Sequence, residues 1–143
     1  CRSNNIDCLV VDKSTIGQTG TFKKCNAEII EGDGCIVELH FNAADTKARG
    51  TETLYVNEDS LILAKQIQEG MCQALKRSAK QNRGVKKLSE GDRGYANLHG
   101  FIHPAVIVEP AFCDNRDDAR LLYDNLNSYV ECIVNCAFDS MVV

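Results

Sequence analysis

The sequence predicts a single α/β domain with a mixed, mostly parallel sheet flanked by helices. Three observations lead to this fold class: short apolar runs rich in β-branched residues, segments of helical spacing between them, and glycine-containing turns at the junctions. Strands that alternate with helices favour parallel pairing. The 143 residues, 44% of them hydrophobic, can enclose one core, so we expect 1–143 to form one domain.

The first part of the chain contains two predicted strands and a short helix. Ile6 to Val11 is an apolar, β-branched run that predicts a buried strand, and the glycines and threonines after it indicate a loop. We expect a helix over Thr21 to Ile30, ended by the turn Glu31-Gly32-Asp33-Gly34. Cys35 to Phe41 then predicts a largely buried strand.

A strand, a long helix and a further extended piece follow. Thr51 to Val56 predicts a strand, preceded by a polar surface loop over 42–50. Apolar residues recur at three- and four-residue steps from Asp59 to about Lys80 and predict a helix, with Asn57 or Asp59 as its cap. Val85 to Leu88 is expected to be extended.

The last third predicts an extended segment, a buried strand and a long helix. Tyr95 to Phe101 is expected to be extended, and the continuous apolar run Ala105 to Glu109 predicts a strand that ends in a carboxylate. A final helix is expected over Arg116 to Ala137, with Asn115 as its cap.

Charge and hydropathy disfavour two classes of partner. The 16 basic and 20 acidic residues give a net charge of -4, which disfavours binding to nucleic acid or to an anionic membrane. No apolar run approaches the ~20 residues that span a bilayer, so no membrane insertion is expected. The polar opening Cys1 to Asn5 lacks the apolar segment of a secretory signal, which predicts synthesis in the cytoplasm.

Eight cysteines are many for a chain of this length, but none forms a C-x-x-C pair. A zinc ribbon is therefore disfavoured. Several cysteines lie inside apolar runs, so reduced thiols in the core are favoured over a disulfide framework. Cys132 and Cys136 would share a helical face, but two thiols alone make a poor metal site.

The chemistry is expected at the carboxyl ends of the strands, where ligands of open α/β sheets bind. His40 and Glu109 both lie where a predicted strand ends. A neutral imidazole is a good zinc ligand, and a carboxylate beside the metal can take a proton from bound water and return it to a leaving amine. Taken alone, a strand histidine is more often a hydrogen-bonded structural residue, and strand-end glutamates are common.

A series of sequence motifs adds to this pair. Ile36 to Ala43, with its histidine-x-asparagine step, resembles the strand that carries the second zinc histidine of zinc-dependent N-acetylmuramoyl-L-alanine amidases. Gly50 to Tyr55 resembles the next strand of that family, and Arg83 to Lys86 a later loop. Pro104 to Glu109, followed by Phe-Cys-Asp-Asn, is similar to the strand and turn that present the catalytic glutamate in phage endolysins of this group.

The resemblance implies a zinc enzyme that hydrolyses peptidoglycan at the bacterial cell wall, at the amide between N-acetylmuramic acid and L-alanine of the stem peptide. His40 would be a zinc ligand and Glu109 the general acid/base. The family's other two ligands, a histidine after the first strand and a glutamate in the first helix, have no counterpart here. Ile6 to Val11 resembles the family's second strand, so we expect the amino-terminal strand and helix of the domain to be missing from the sequence.

Other ionisable residues carry weaker predictions. His99 and His103 could substitute as ligands by residue type, but loop or surface positions are favoured for both. Glu38 points to the same sheet face as His40, and we favour a structural pairing for it. Glu52 and Arg83 line the groove by analogy with the family, and ordinary surface roles are at least as well supported.

Two alternatives to the hydrolase remain. One is a catalytically inactive amidase-fold module that binds peptidoglycan or a protein partner without metal. The other, suggested by the eight cysteines, is a thiol redox or metal-storage protein, which predicts several rapidly reactive thiols.

Overall fold

A computed structural model describes residues 8–29 and 34–140. These residues form four strands and five helices, in the order α1 (Lys13–Glu28), β1 (Ile36–Leu39), β2 (Thr51–Tyr55), α2 (Leu61–Ala74), β3 (Asn82–Lys87), α3 (Tyr95–Leu98), β4 (Ala105–Glu109), α4 (Arg116–Asp124) and α5 (Leu126–Asp139). A 3-10 turn, Glu58–Ser60, leads into α2. The predicted α/β class is confirmed.

The four strands form one mixed sheet in the order β1-β4-β2-β3. β1 pairs with β4 and β2 pairs with β3, both in parallel, while β2 and β4 are antiparallel. The carboxyl ends of β1 and β4 therefore lie beside the start of β2, where Glu52 faces Glu109 in the register. This arrangement brings polar residues from different strands to one edge of the sheet.

Each face of the sheet is covered by its own group of helices. Val106 and Val108 of β4 pack with α2, α4 and α5, in a core that includes Ile67 and Met71. Ala105 and Ile107 face the other way and pack with α1 and α3, against Leu98. The alternation along β4 explains this division, because successive side chains of a strand point to opposite faces.

A buried ion pair ties the turn after β4 to the rest of the fold. Arg77 and Asp118 side chains are bonded to each other and are almost fully inaccessible. Arg77 also donates to Thr51 Oγ1 (2.7 Å) and to the Pro110 carbonyl (2.5 Å), and Asp118 Oδ2 accepts from the Gly50 and Phe112 amides (3.1 and 2.8 Å). The pair therefore connects the loop after α2, the start of β2 and the start of α4.

Gly50 is required by backbone geometry at the entrance to β2. Its φ is +124°, a region that L side chains rarely adopt, and an added Cβ would lie 2.4 Å from the Gln81 carbonyl oxygen. The chain can therefore pass close to Gln81 and start β2 only with glycine here.

Several predicted elements differ from the structure in the first part of the chain. The run Ile6 to Val11 does not form a buried strand over its described part, since residues 8–11 have no regular structure and Val10 is 87% exposed. Ile6 lies outside the described residues, as does most of the turn 31–34. The helix predicted over Thr21 to Ile30 starts earlier, at Lys13, because the Asp12 side chain caps it and Gly17 only kinks it.

Other differences concern the second half. The segment predicted to be extended over Tyr95 to Phe101 contains the short helix α3, which starts after a left-handed Gly94. The helix predicted to reach Lys80 ends at Ala74, and the left-handed Lys76 follows it at a φ of 51°. The last predicted helix is divided into α4 and α5 at Asn125, whereas its cap at Asn115 is confirmed. None of the helices in the described ranges is long and apolar enough to cross a membrane.

Candidate active site

His40 and Glu109 lie at the same end of two adjacent strands. Leu39 pairs with Val108 in the β1–β4 ladder, and the His40 amide donates to the Val108 carbonyl at 3.0 Å. The two predicted site residues thus directly follow, or end, neighbouring parallel strands. The structure brings them to one edge of the sheet, and their chemical roles stay predictions.

β1 is less buried than its apolar sequence predicts. It is the edge strand of the described sheet, and Leu39 is 66% exposed. Its even-numbered side chains follow Ile36 onto the sheet face covered by α1 and α3. Both Glu38 and His40 therefore project from that face.

Asn42 links the carboxyl groups of two strands. Its Nδ2 donates to Glu109 Oε2 at 2.7 Å and to Glu52 Oε1 at 2.5 Å. Glu52 is the glutamate of β2 and pairs with Glu109 in the antiparallel register. The candidate catalytic carboxyl group is therefore one member of a pair of carboxyl groups bridged by an amide.

Two cations from β3 neutralise Glu52. Arg83 Nε donates to Glu52 Oε2 at 2.9 Å, and Lys86 Nζ bonds the same oxygen. The Glu52 side chain is 6% exposed, whereas both cations are partly open to solvent. Arg83 also lies over the Phe112 ring, 5.0 Å from its centroid. An anion at Glu52 is thus compensated before any ligand arrives.

The pKa values of the two carboxyl groups move in opposite directions. Burial raises the pKa of Glu109, and the hydrogen bond with Glu52 and the charge of Glu52 raise it further, to about 7; His40 and Arg93 oppose the rise. Burial alone would raise the pKa of Glu52, but the bonds from Lys86 and Arg83, with that to Glu109, outweigh it and lower the pKa. The environment therefore favours the proton on Glu109 and the charge on Glu52.

His40 is held by a neighbouring carboxylate. Its Nε2 lies 3.0 Å from Glu38 Oε1, and that oxygen also accepts from Asn97 Nδ2 of α3 at 3.3 Å. This geometry agrees with the structural pairing predicted for Glu38. Such a carboxylate partner fixes the orientation of an imidazole ring.

The described residues do not fit a complete zinc centre. A catalytic zinc ordinarily takes three protein ligands and a water molecule. Within 8–29 and 34–140 no three His, Cys, Asp or Glu side chains are grouped so that they could hold a metal ion. His40 is the only imidazole that the described structure places at the end of the sheet with Glu109.

The other two histidines lie between α3 and β4, as predicted for loop positions. His99 is exposed and stacks on Tyr95, with ring centroids 5.2 Å apart. His103 is half-buried, and its Nε2 has no hydrogen-bond partner in the part of the chain that the structure describes. Neither supplies a second ligand beside His40 in the described structure.

The sequence reasoning missed Asn42 and Lys86 and undervalued Glu52. In the sequence, Asn42 stands out only as part of the histidine-x-asparagine motif, and the pattern around Glu52 predicts a surface role as readily as a place in the groove. A usable signal was present, because Glu52 lies in a strand otherwise made of threonine, leucine and tyrosine. A lone charge in a strand that is buried throughout needs a partner.

Solved structures of amidases and of an endolysin have the same fold as this chain. The catalytic domain of CwlV, an amidase from Bacillus (Paenibacillus) polymyxa var. colistinus, is 19% identical with a TM-score of 0.68, over 96% of this chain and 69% of its own. An N-acetylmuramoyl-L-alanine amidase from Clostridium difficile is 23% identical (TM-score 0.63, 74% and 56%). The catalytic domain of an endolysin that targets Clostridia difficile is 26% identical (TM-score 0.63, 91% and 69%).

Each match covers a larger share of this chain than of the solved structure. The chain spans between 56% and 69% of the length of the three structures. Comparison with the sequences of curated proteins gives no match. The sequence profile of the N-acetylmuramoyl-L-alanine amidases matches residues 13–136, which is most of the chain. This match shows that the chain belongs to the N-acetylmuramoyl-L-alanine amidase family.

Proposed function

We propose that the chain is the glutamate-bearing part of a peptidoglycan amidase, which acts at the bacterial cell wall on the amide between N-acetylmuramic acid and L-alanine of the stem peptide. The observation that carries the proposal is the Glu109 carboxyl group, half-buried at the sheet edge beside the strand of His40, with its pKa raised to about 7. An acid/base group works best when its pKa lies near the working pH. Family membership supports the choice of substrate.

The chemical role of Glu109 follows from its environment. In its ionised form, the carboxylate accepts a proton from the attacking water; in its protonated form, it gives that proton to the leaving amine of L-alanine. Glu52 stays ionised beside it and favours the proton-bearing form. A zinc ion held by His40 and further ligands would supply an activated water and would polarise the carbonyl oxygen. The zinc role requires His40 and two further ligands from outside the described residues.

The test of this function compares two variants of the enzyme, in a form that contains His40 and the two further zinc ligands and that is loaded with zinc. Glu109→Ala should abolish release of stem peptides and leave zinc bound, because a general base is not a ligand. His40→Ala should lose zinc as well as activity. Glu131→Ala, at an exposed position of α5, is the control and should behave as the wild type.

The readouts identify the bond that is cut. Mass spectrometry of digested peptidoglycan should show stem peptides with a free amino group on L-alanine and glycans that keep an intact lactyl group. Zinc content is measured by atomic absorption. Normal turnover in Glu109→Ala would exclude Glu109 as the general acid/base. Unchanged zinc affinity in His40→Ala would exclude His40 as a zinc ligand.

A second candidate function is a catalytically inactive module that binds peptidoglycan or a protein partner. The observation that favours it is that the described residues group no three potential metal ligands. Measurements on the 143-residue chain, purified without added metal, distinguish the inactive module from the amidase. Near-stoichiometric zinc together with release of stem peptides would exclude the inactive module, whereas co-sedimentation with peptidoglycan without zinc or turnover would favour it.

A further inference from the structure

Every strand of the described sheet contributes to the surroundings of Glu109. Glu109 ends β4, Glu52 lies in β2, Lys86 lies in β3, and Asn42 follows β1. The amide nitrogen of Asn42 reaches both carboxyl groups, at 2.7 Å from Glu109 Oε2 and 2.5 Å from Glu52 Oε1. One side chain thus connects the outer strand to two strands beyond it.

The orientation of the Asn42 side chain is fixed by the backbone around it. The Asn42 amide donates to the Ala111 carbonyl at 3.0 Å, and its carbonyl accepts from Cys113 at 2.9 Å. Its Oδ1 accepts from the Ala43 amide at 3.0 Å. Because the oxygen of the side chain already has a donor, the nitrogen is the atom that faces the carboxyl groups.

Glu52 is also fixed, and from the opposite side. Arg83 and Lys86 bond one oxygen, Oε2, while Asn42 bonds the other. Arg83 is itself placed by its contact with the Phe112 ring. The carboxylate of Glu52 therefore has little freedom to turn, and it presents a charge-assisted acceptor to Asn42.

We propose that Asn42 and Glu52 are positioning residues that hold the Glu109 carboxyl group in one orientation at the sheet edge. A glutamate side chain is long and has several rotatable bonds, so a half-buried one without partners would populate several rotamers. The bridge from Asn42 selects one of them, and Glu52, anchored by two cations, keeps the bridge in place. This inference rests on the proposed function, because it concerns the same carboxyl group.

The first test needs no enzymatic activity. The side-chain amide protons of Asn42 are followed by NMR in the full 143-residue chain. Since both carboxyl groups accept from this nitrogen, its protons should resonate downfield of a free asparagine and exchange slowly with water. Glu52→Gln should move them upfield and speed the exchange, because hydrogen bonds to a charged acceptor are about twice as strong as neutral ones.

The matched control for this test is Glu58→Gln. Like Glu52, Glu58 bonds a cation of β3, in this case Lys87. Both of these side chains are at least half exposed and lie away from Asn42. The Asn42 signal should not change in this variant. A wild-type amide that exchanges as fast as a free asparagine, or a signal unaffected by Glu52→Gln, would overturn the proposal.

The second test is kinetic and uses the zinc-loaded enzyme with a soluble muropeptide. Asn42→Ala should lower kcat by about 100-fold with KM within a factor of two, because a misplacement of about 1 Å costs on that order. Asn42→Asp, which keeps the acceptor for Ala43 but loses the donor, is the second variant if Asn42→Ala does not fold. Glu58→Gln should keep the wild-type kcat.

The outcomes separate this inference from the proposed function. Unchanged kcat in a folded Asn42 variant would overturn the positioning role while the amidase stands. A wild-type protein that has zinc but no turnover, and whose Asn42 amide is nevertheless protected, would overturn the proposed function while the bridge stands. Restoration of kcat in Asn42→Gln, in which the donor is retained, would support positioning over a general structural role.

Discussion

Two chemically identical side chains, Glu52 and Glu109, have different protonation behaviour because of their neighbours. Glu52 contacts Arg83 and Lys86, whereas Glu109 lies beside Glu52 and has no bonded cation among its recorded contacts. Two carboxylates this close cannot both ionise readily unless each is compensated. The cations are on one side of the pair only, so the proton stays with Glu109.

The first prediction concerns the pH dependence of stability. The pKa of Glu109 is raised from its ordinary 4.5 to about 7, so the folded protein holds this proton more tightly than the unfolded chain. The resulting stabilisation is complete below pH 4.5 and is lost as the pH rises through about 7. Glu109→Gln, which keeps a neutral group, should not show this loss in urea unfolding between those pH values.

Glu58→Gln serves as the control for this prediction, because Glu58 is exposed and bonded only to Lys87 among the described contacts. Its stability should follow the wild type through the same pH range. Parallel curves for wild type and Glu109→Gln would show that the carboxyl group of Glu109 titrates normally.

The sequence located two residues of the candidate site and could not locate the rest. His40 and Glu109 were found because each ends an apolar run, which is a local pattern. Glu52 reaches Glu109 through the pairing of β2 with β4, and Asn42 reaches it through the pairing of β1 with β4. Strand register depends on contacts distant in sequence. No local pattern specifies that register.

At the scale of elements, the segments that carry Glu52 and Glu109 are locked together behind the site. Thr51 of β2 and Pro110 after β4 both accept from Arg77, and Asp118 of α4 holds the amides of Gly50 and Phe112. Removal of one member of a buried pair leaves the other charge uncompensated.

The second prediction follows from this lock. Arg77→Met should lower the free energy of unfolding by about 3–5 kcal/mol, because Asp118 would stay buried without a cation. Urea denaturation followed by circular dichroism measures the change. Arg120→Met is the matched control, since its pair with Asp124 is largely exposed and should contribute at most about 1 kcal/mol. Equal losses in the two variants would contradict a structural role for the buried pair.

The third prediction concerns the attachment of α1 to the sheet. Phe22 of α1 packs edge-on against Phe101, with ring centroids 4.7 Å apart. A Cβ added to Gly100 would lie 2.3 Å from the Phe22 ring. Gly100→Ala should therefore destabilise the protein by about 1–3 kcal/mol through overpacking.

A double-mutant cycle checks the cause. If the ring of Phe22 is the obstacle, Gly100→Ala should cost much less in a Phe22→Leu background, so that the two changes are not additive. Additive effects would place the strain elsewhere. Gly91→Ala is unsuitable as a control, because its φ is +95° and the change would add backbone strain.

The elements themselves were predicted best where a strong period repeats over many residues. α2 and β4 were identified in type because their apolar patterns are regular and long, or continuous. α3 was missed because it contains only four residues, and a single turn has almost no periodicity. The break between α4 and α5 was also missed. It depends on the non-helical backbone of Asn125 and on the bond from its side chain to the Leu121 carbonyl at 2.8 Å, and the apolar spacing on either side does not reveal it.

At the scale of the whole molecule, the cysteines are distributed over both cores and the surface. All seven in the described ranges are free thiols, and Cys8 and Cys113 are the exposed ones. Burial raises the pKa of Cys25, Cys35 and Cys72, so these thiols form the reactive thiolate less readily. Their burial agrees with the predicted location of cysteines in the core, and their reduced state stays a prediction.

The fourth prediction is that native labelling with a thiol reagent has a small fast phase. In a Cys1→Ser background, which removes the cysteine outside the described residues, Cys8 should react first and Cys113 next, because burial and nearby Asp118 and Asp114 raise the pKa of Cys113. The other thiols should react only on unfolding. Cys8→Ser should remove the fastest step, and fast reaction of more than these two would favour a role in thiol chemistry.

The order of the strands could not be read from their succession along the chain. β1 and β4 are neighbours although β2, α2, β3 and α3 lie between them in the chain. β2 runs antiparallel to β4 and parallel to β3. The α/β class with a mixed, mostly parallel sheet was predicted, whereas the strand order depends on pairings between segments far apart in the chain. The candidate site exists only in that arrangement.

Because β2 and β4 pair directly, the site depends on the number of residues between the start of β2 and Glu52. Side chains of a strand alternate between faces, so deletion of a single residue between Gly50 and Glu52 would turn Glu52 toward the α2 side of the sheet and bring a threonine to Glu109. An added residue in the exposed loop before Gly50 leaves that count untouched. Length variation in natural relatives should therefore accumulate in the loop and be excluded from the first residues of the strand.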